Sequence, residues 1–546
     1  MNTRSQEQFE QIPTSLTLSS LLLRQLKLWG VERIYGVAGD AILHLLQTIG
    51  EERHLTWVNT RFESAAAMMA SAESILSSRP GVCLGTSGPG LANMLNGIAV
   101  ASADHIPLLV ITGQVPQDSI GTEAKQYVEQ QELIAPLACY SAEVQDSKAL
   151  LPLLRTAYVT AMTKRGVAHL SIPQNLFSQI VTAAPRPLID LQSQLQAENL
   201  TQLEQVVEQL QRSQRPALLL GVGSRQAQKE IMQLAEIQEM ALFESLGAKG
   251  VIPFHHPFFL GGLGEGGTME GMALFQQADF ILVIGSNWWP DGFVPQQATI
   301  ASIDLAVASV ETHPAANLGL IGDAATILTK ITNQLQQRSR VEWKKQITQC
   351  KEQIELAYSQ ENAPPDALTP AQVMNLLSDT VDDDGMITVD TGDHTIWFNQ
   401  RFRATNQEVL FSGKWRTMGY GLPAAIGAQL AAPQKQVTTI VGDGSFVTTM
   451  MELSTLYEHQ LPITILILKN HTYGKEESSM LARGYQPYGV QLANPNFIQL
   501  AQAYGIAGEQ VKNADQLLNA LKKAYQSKAP FVVEIETAYI TPPFAQ

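Results

Sequence analysis

Short apolar runs alternate with longer segments of helical periodicity along almost the whole chain. The runs are rich in Val, Ile and Leu and often end in glycine or a small polar residue, which is typical of buried strands in parallel sheets. The helical segments between them supply the crossovers that parallel strands need. Strands are predicted in VERIYGVAG (31–39), GVCLGTSG (81–88), PLLVITGQV (107–115), ALLLGVG (217–223), DFILVIGSN (279–287), VTTIVGDG (437–444) and ITILILKN (463–470).

Two polar stretches that contain proline, 182–202 and 359–370, interrupt this alternation and are predicted to be linkers. A chain of 546 residues is also too long for one hydrophobic core. We therefore expect three α/β domains at 13–185, 200–335 and 365–546. The first and third have a similar rhythm of strands and helices.

Composition argues against several classes of partner. The net charge is −15 and no block of lysine and arginine occurs, so nucleic acid and anionic lipid are not expected to bind. Cys83, Cys139 and Cys350 lie far apart, which predicts neither a disulfide framework nor a cysteine zinc site. The chain lacks the apolar run of a signal peptide or of a membrane-spanning helix. We expect a cytoplasmic protein with no membrane partner.

Oxygen-bearing side chains follow two predicted strands of the third domain. One strand ends in Gly442-Asp443-Gly444-Ser445 and the next ends at Asn470. A strand, helix, strand unit places these ends side by side, at the edge where open α/β sheets bind ligands. A carboxylate and an amide oxygen suit Mg²⁺, and backbone N–H groups at Gly444 and Ser445 would face a phosphate. Asp-Gly is also a common turn, so this pattern alone leaves a purely structural role open.

GDGS, its spacing to Asn470 and the sequence NHTYG together resemble the signature of thiamine-diphosphate-dependent enzymes. GTSGPGLANMLNGIAVASADHIPLLVITGQVP and HLSIP are similar to the acetolactate synthase, pyruvate oxidase and 2-oxo acid decarboxylase branch. The resemblance implies three doubly wound parallel-sheet domains: pyrimidine-binding, central Rossmann-like and diphosphate-binding. It implies Mg²⁺ ligands at Asp443, Asn470 and Thr472, and cofactor contacts at Gly442, Gly444 and Ser445.

The same resemblance assigns the activating carboxylate. Thiamine diphosphate becomes reactive when a carboxylate hydrogen-bonds nitrogen N1′ of its pyrimidine ring, and Glu63, at the start of the Ala-rich segment ESAAAMMASAES, holds the matching position. An ordinary first-turn glutamate would give the same local sequence. In this superfamily the glutamate of one subunit meets the diphosphate site of another, which implies a homodimer or a homotetramer.

Two further segments match the family's cofactor site. GKWRTMGYGLPAAIGAQLA resembles the segment whose bulky residue, here Met418, forces the cofactor rings into a V shape. Arg416 stands where relatives usually carry a small residue whose carbonyl accepts from the 4′-amino group. VDTGDHTIWFNQRF resembles the segment that closes over the diphosphate, which nominates Gly392, Asp393 and His394. Core packing would also explain Met418 and His394.

Two side chains are nominated for the reacting centre. IGTEAKQY matches a family segment whose glutamine, here Gln126, reaches that centre, and Lys125 replaces the usual aromatic residue beside it. Glu477 matches an essential proton-transferring glutamate of pyruvate-decarboxylase-like enzymes. A shift of one residue would give this role to Glu476, and a solvated first helical turn would explain both acids equally well.

The central domain gives mixed indications of FAD. GVGSRQAQKE (221–230) and GSNWWPDGF resemble oxidase segments, but the family's IDIDP stretch is here Ile303-Asp304-Leu305-Ala306-Val307 and lacks one acid. FAD is therefore a doubtful cofactor, since glycine turns kept for packing would look the same. GGLGEGG (261–267) is expected to be a loop, because no predicted strand precedes it directly.

The resemblance implies an enzyme that decarboxylates a 2-oxo acid and then protonates, ligates or oxidises the enamine that results. The acceptor in a ligation would be an aldehyde or a second 2-oxo acid. Acetolactate synthases usually carry RFDDRVTG and a QW pair where this chain has GSNWWPDGF and KEESSM. The favoured expectation is thus a decarboxylase or carboligase acting on pyruvate or a similar acid. An FAD-containing pyruvate oxidase, an acetolactate synthase and a silent scaffold subunit are the alternatives.

Overall fold

A computed structural model describes residues 15–188, 198–359 and 367–541, with the exception of residues 287, 290, 291, 293, 294 and 296. Residues 189–197 and 360–366 of the predicted linkers, and part of GSNWWPDGF, lie outside the described residues. The described chain contains three six-stranded sheets whose neighbouring strands are all parallel. The predicted α/β fold is confirmed, and each of the seven predicted strands forms.

The N-terminal domain contains the strands β1 (Ser15–Thr17), β2 (Arg33–Gly36), β3 (Thr56–Asn59), β4 (Gly81–Gly85), β5 (Leu108–Gln114), β6 (Ala138–Glu143), β7 (Val167–Pro173) and β8 (Ile180–Thr182). Its helices are α1 (Leu18–Leu28), α2 (Leu43–Glu52), α3 (Glu63–Ser77), α4 (Pro89–Ala103), α5 (Gln130–Ile134) and α6 (Leu150–Lys164). The main sheet has the order β3-β2-β4-β5-β7-β6, and β1 pairs with β8 in a separate antiparallel ribbon. Strands β4, β5 and β7 are fully buried, as expected when helices cover both faces of a sheet.

The central domain contains the strands β9 (Pro216–Leu220), β10 (Ala241–Glu244), β11 (Phe259–Gly262), β12 (Phe280–Ile284), β13 (Thr299–Asp304) and β14 (Leu318–Ile321). Its helices are α7 (Leu203–Arg212), α8 (Gln228–Gln238), α9 (Met269–Phe275), α10 (Val307–Glu311), α11 (Ala324–Thr332) and α12 (Val341–Ser359). The order β11-β10-β9-β12-β13-β14 is that of a dinucleotide-binding sheet. Helix α12 packs on this core through Trp343 and Ile347.

The glycine cluster GGLGEGG differs from its prediction, because β11 leads straight into it. The strand includes Gly261 and Gly262, and residues Gly264–Gly266 then form a short 3-10 turn. Glycine is depleted in strands, so a strand that ends in glycines gives little signal in the sequence. The expectation that no strand precedes the cluster was wrong.

The C-terminal domain contains the strands β15 (Met386–Val389), β16 (Glu408–Phe411), β17 (Val437–Gly442), β18 (Ile463–Lys469), β19 (Ala507–Val511) and β20 (Phe531–Glu536). Its helices are α13 (Pro370–Ser378), α14 (Asp393–Arg401), α15 (Gly421–Ala431), α16 (Asp443–Thr449), α17 (Leu453–Glu458), α18 (Gly474–Ala482), α19 (Phe497–Ala503) and α20 (Ala514–Gln526). The order β16-β15-β17-β18-β20-β19 repeats that of the N-terminal sheet strand for strand.

The N-terminal and C-terminal domains pack together through α3 and α15, which occupy equivalent positions in the two folds. A Cβ added to Gly427 would lie 2.2 Å from the carbonyl oxygen of Met69, so the two helices approach closely only because this position is glycine. One buried apolar cluster contains residues of both domains, among them Ala66 and Ile426. Within the described residues, no helix combines the length and apolar character that crossing a membrane requires.

Candidate active site

The C-terminal sheet brings the predicted metal ligands together. Asp443 follows β17 and Asn470 follows β18, and these two strands are paired in parallel. The Asp443 carboxylate accepts hydrogen bonds from the His471 N–H at 2.8 Å and the Asn494 side chain at 2.6 Å. The Asn470 amide donates to the Asp393 carboxylate at 3.3 Å. Two carboxylates and two amides therefore converge at the carboxyl edge of the sheet.

The acids at this edge are crowded together. The pKa of Asp393 is raised to about 6, chiefly by burial and to a smaller extent by the nearby charges of Asp443 and Glu476. Burial also raises the pKa of Asp443. A divalent cation between these groups would stabilise their charged forms, and oxygen ligands of this kind suit Mg²⁺. The donor set therefore fits the metal that the sequence predicts.

Thr472 lies beside these residues, but its hydroxyl is already engaged. It donates to Glu477 at 2.6 Å and also lies 3.1 Å from the carbonyl oxygen of Val490. The Thr472 N–H donates to the Asn470 side chain at 3.2 Å. The group of Thr472 best suited to bind a cation is consequently its backbone carbonyl.

The Gly442-Asp443-Gly444-Ser445 turn is tightly built. The Gly442 N–H donates to the Ser445 hydroxyl at 3.0 Å, and the Gly444 N–H donates to Asp443 at 3.0 Å. A Cβ on Gly444 would lie 2.5 Å from the ring of Tyr473, so this position needs glycine for close approach. The N–H of Gly444, which we expected to face a phosphate, points to the Asp443 carboxylate in this structure.

His394 carries the clearest sign of a missing ligand. Its ring is buried against the backbones of Gly392 and Gly442, and it hydrogen-bonds the backbone of Asp390. Among the described residues, its Nε2 atom has no hydrogen-bond partner. Burial lowers the pKa of His394 to about 4, so the ring is neutral at pH 7. A buried polar atom without a partner is costly, and a ligand at this position would remove the cost.

Met418 projects from the surface of the chain, which makes it available to a cofactor. It is 40% exposed in the single chain, so packing in the core of that chain does not account for it. The turn that carries it is held by Asp390, whose carboxylate accepts from the N–H groups of Gly419 at 2.9 Å and Gly421 at 2.8 Å. Burial raises the pKa of Asp390 to about 6.

Arg416 has a backbone conformation that is unusual for a residue with a long side chain. Its φ of 55° lies in the left-handed region, which costs a residue with a side chain about 1–2 kcal/mol. The guanidinium donates to the Gly413 carbonyl at 2.8 Å and turns outward to solvent. Its side chain therefore leaves open the prediction that its backbone carbonyl contacts the cofactor.

The two N-terminal candidates lie on either side of the start of α4. Glu63 begins α3 and accepts a hydrogen bond from Asn93 at 3.1 Å. Gln126 has a φ of 65°, and its carbonyl would lie 2.5 Å from a Cβ on Gly88, the residue before α4. Within the described part of one chain, no hydrogen bond joins Glu63 or Gln126 to the C-terminal group.

Both glutamates of α18 face the metal edge. Glu477 accepts from Thr472 at 2.6 Å and lies 3.5 Å from the Gln491 amide, so it is tied to the metal loop. Glu476 is exposed, and its charge contributes to the raised pKa of Asp393. The choice between these two acids stays a prediction.

Asp390 and Asn494 complete the site although the sequence did not nominate them. Asp390 comes directly after β15, which is the same strand-end signal that identified Asp443. Asn494 lies in an irregular segment, 51 positions from the carboxylate that it contacts, and no local pattern indicates it.

The glycines of the central domain contact one another. A Cβ on Gly221 would lie 2.2 Å from the carbonyl of Gly285, and a Cβ on Gly223 would lie 2.9 Å from the Gly285 Cα. The Asp304 carboxylate accepts from the Ala306 N–H at 2.8 Å within its own turn. Backbone packing at the ends of β9 and β12 thus accounts for these glycines without a ligand.

Three family models match the chain, one for each domain. They are described as thiamine pyrophosphate enzyme, N-terminal TPP binding domain (residues 16–134), central domain (residues 203–331) and C-terminal TPP binding domain (residues 390–535). The C-terminal match contains His394, Met418, Asp443 and Asn470, and the N-terminal match contains Glu63.

The chain also resembles curated proteins along nearly its full length. The Bacillus subtilis (strain 168) protein YdaP, named as a thiamine pyrophosphate-containing protein, is 31% identical over 95% of this chain and 91% of its own. The acetolactate synthase large subunit of Lactococcus lactis subsp. lactis is 30% identical over 95% and 92%. The acetolactate synthase isozyme 2 large subunit of Escherichia coli (strain K12) is 29% identical over 94% of each chain.

Proposed function

This chain belongs to the thiamine pyrophosphate enzymes, and we propose that it is a Mg²⁺-dependent decarboxylase or carboligase for pyruvate or a similar small 2-oxo acid. The observation that carries the proposal is the C-terminal edge, where Asp443 and Asn470 converge beside the unpartnered Nε2 atom of His394. Membership of an enzyme family supports catalysis over a scaffold role. The domain limits and the cytoplasmic location stay predictions.

Each side chain has a distinct part in the proposed reaction. Asp443, Asn470 and the Thr472 carbonyl would hold Mg²⁺, and Gly392 and His394 would contact the diphosphate. The bound cofactor supplies the electron sink for cleavage of the bond next to the carbonyl.

The protons are handled by the protein. Glu63 holds a proton at N1′ of the pyrimidine, while the Arg416 carbonyl accepts from the 4′-amino group and Met418 supports the rings. Glu477 or Glu476 moves a proton at the substrate, and Gln126 orients the substrate.

We propose that two chains form each active site. Within the described residues, Glu63 has no hydrogen bond to the C-terminal group of its own chain, and Met418 projects outward. A second chain related by a twofold axis would present its Glu63 and Gln126 to this C-terminal edge. The expected assembly is a homodimer, or a homotetramer of two dimers.

We propose that the central domain does not retain flavin. Its glycines pack against one another, and one carboxylate oxygen of Asp304 is taken up by the Ala306 N–H. Protein purified without added flavin should therefore show no flavin absorbance near 450 nm, the region in which the ring absorbs. Stoichiometric FAD in that preparation would revive the oxidase alternative.

Acetolactate synthesis is the second candidate, because most of the similar proteins are named as acetolactate synthase large subunits. Both candidates share the first half of the reaction and differ in the acceptor. Mass spectrometry of products from pyruvate, thiamine diphosphate and Mg²⁺ separates them. Acetolactate would identify the synthase, whereas acetaldehyde or an acyloin would identify the decarboxylase or carboligase.

The same assay tests the proposal as a whole when it is extended to a panel of 2-oxo acids and aldehydes. The Glu63→Gln protein is the control, because it keeps the fold and loses the activating carboxylate. Absence of turnover across the panel by the wild-type protein, loaded with cofactor and metal, would contradict the proposed function.

A further inference from the structure

The segment that leads into α3 has little support of its own. Helix α3 begins at Glu63, and Phe62 at its N-cap offers no side-chain hydrogen bond. Ser, Thr, Asp or Asn usually stands at this position and fixes the first turn. The hydroxyl of Thr60 reaches only the Phe62 carbonyl, at 3.3 Å. The backbone N–H groups ahead of Glu63 must therefore find partners elsewhere.

Glu452 of the C-terminal domain supplies those partners. Its Oε1 atom accepts from the N–H of Arg61 at 2.9 Å and from the N–H of Phe62 at 3.1 Å. Its Oε2 atom accepts from the Thr455 hydroxyl at 2.7 Å. Glu452 is fully buried, and burial raises the pKa of its carboxyl while these three hydrogen bonds lower it. Both oxygens are thus engaged, and two of the three donors belong to the residues just before Glu63.

Neighbours of Glu452 hold the same segment. The Thr455 hydroxyl also lies 3.2 Å from the Asn59 carbonyl, and the Arg61 guanidinium donates to Ser454 at 3.0 Å and Glu458 at 2.8 Å. The two Arg61 side-chain contacts are exposed, and exposed polar contacts and ion pairs contribute little. The buried bonds of Glu452 are consequently the ones able to fix the backbone at Phe62.

We infer that Glu452 is a positioning residue that fixes the backbone before Glu63, so that the Glu63 carboxylate is held ready for N1′ of the cofactor pyrimidine. The inference rests on the proposed function, in which Glu63 activates the cofactor. One oxygen of a buried side chain that accepts from two consecutive backbone N–H groups fixes the positions of both, so the anchor acts through geometry. Catalysis is sensitive to displacements of about 1 Å, which an anchor next to the catalytic residue controls.

Four variants test the inference. Glu452→Ala removes both acceptor oxygens. Glu452→Asp shortens the side chain by one methylene, which moves the carboxylate away from the two N–H groups. It replaces Glu452→Ala as the test if that protein fails to fold. Glu452→Gln keeps an oxygen for the two N–H groups, while its NH₂ can donate to Thr455. Glu458→Ala is the matched control, because it removes an exposed acid that contacts only the Arg61 side chain.

The first measurement needs no cofactor. Amide hydrogen exchange of peptides covering residues 59–63 should be faster in Glu452→Ala and Glu452→Asp, and unchanged in Glu458→Ala.

The second measurement is the exchange of the C2 proton of bound thiamine diphosphate with D₂O, followed by NMR. It should slow on the order of 10²-fold in Glu452→Ala, with kcat falling in parallel and the cofactor dissociation constant unchanged. Glu452→Gln should restore most of both rates.

The outcomes separate the inference from the function on which it rests. Wild-type amide exchange and wild-type C2 exchange in both Glu452→Ala and Glu452→Asp would overturn the inference, provided that Glu63→Gln slows C2 exchange. If Glu63→Gln itself leaves C2 exchange unchanged, the proposed function fails instead. Failure of Glu452→Gln to restore the rates would also overturn the inference, since the lost property would then be charge rather than position.

Discussion

The N-terminal and C-terminal domains have the same strand order but carry different halves of the site. Equivalent strands lead to the functional residues in both: β3 and β16 precede Glu63 and Met418, while β5 and β18 precede Gln126 and Asn470. The fold thus determines where along each sheet a functional residue can stand. In the proposed function, the C-terminal half holds the metal and the diphosphate, and the N-terminal half contributes Glu63 and Gln126.

The two halves also differ in how complete they are within one chain. The C-terminal residues contact one another, as the hydrogen bonds of Asp443 and Asn470 show. In the part of the chain that the structure describes, Glu63 has one side-chain partner, Asn93. We therefore expect variants of the C-terminal half to affect cofactor retention and variants of the N-terminal half to affect catalysis.

The largest effect is expected from Asp443→Ala. This variant should abolish retention of Mg²⁺ and thiamine diphosphate together, because the metal connects the protein to the diphosphate and Asp443 is its charged ligand. Metal analysis and calorimetric titration would measure the loss. The control is Asp515→Ala, which removes an exposed acid of the same domain. Stoichiometric Mg²⁺ and cofactor in the Asp443→Ala protein would refute the proposal that Asp443 binds the metal.

Glu63→Gln should lower kcat on the order of 10²-fold while most of the cofactor stays bound, because an amide cannot manage the N1′ proton. Steady-state kinetics and equilibrium cofactor binding measure the two properties separately. If Glu63→Gln lost as much cofactor as Asp443→Ala, the proposal that the C-terminal domain retains the cofactor and Glu63 activates it would be wrong.

Gly427→Ala tests the packing that joins the two halves. The new Cβ would meet the Met69 carbonyl at 2.2 Å, so the free energy of unfolding should fall by about 1–3 kcal/mol. Gly50→Ala, in α2, is the matched control because no atom lies within 4 Å of its new Cβ. It should leave the protein as stable or slightly more stable. Equal denaturation curves for the two variants would show that α3 and α15 are not in close contact.

The smallest effect is expected from His394→Phe. It keeps a ring against Gly392 but removes both ring nitrogens, the unpartnered Nε2 and the nitrogen bonded to the Asp390 backbone. Cofactor affinity should weaken about tenfold, in line with the loss of one hydrogen bond from Nε2 to the ligand. His459→Phe is the control, since its Nε2 atom is also buried without a partner among the described residues of this domain. If cofactor affinity weakens in His459→Phe but not in His394→Phe, His394 does not contact the diphosphate.

The sequence predicts the parts of this fold that depend on local patterns. Apolar runs identify the strands, and the spacing between GDGS and Asn470 predicts two neighbouring strand ends because short crossovers join adjacent parallel strands. The glycine-containing strand β11 shows no such pattern. The role of Glu63 comes from the resemblance, since a first-turn glutamate is common.

Contacts between distant segments could not be predicted. The bond from Asn494 to Asp443 spans 51 positions, and the bond from Phe62 to Glu452 spans 390. Each depends on how a loop or a domain packs, and a single polar residue in the sequence does not reveal its partner. The sequence therefore indicates the ligands of the site better than the residues that position them.

The most direct test of the central claim, that two chains form each site, combines the two inactive variants. Glu63→Gln and Asp443→Ala chains with different affinity tags would be produced together, and mixed dimers isolated through both tags. One of the two sites in such a dimer pairs an intact Glu63 with an intact Asp443, so the account predicts about half of the wild-type activity. If each site belonged to one chain, both chains of the mixed dimer would be defective, and absence of activity would contradict the account.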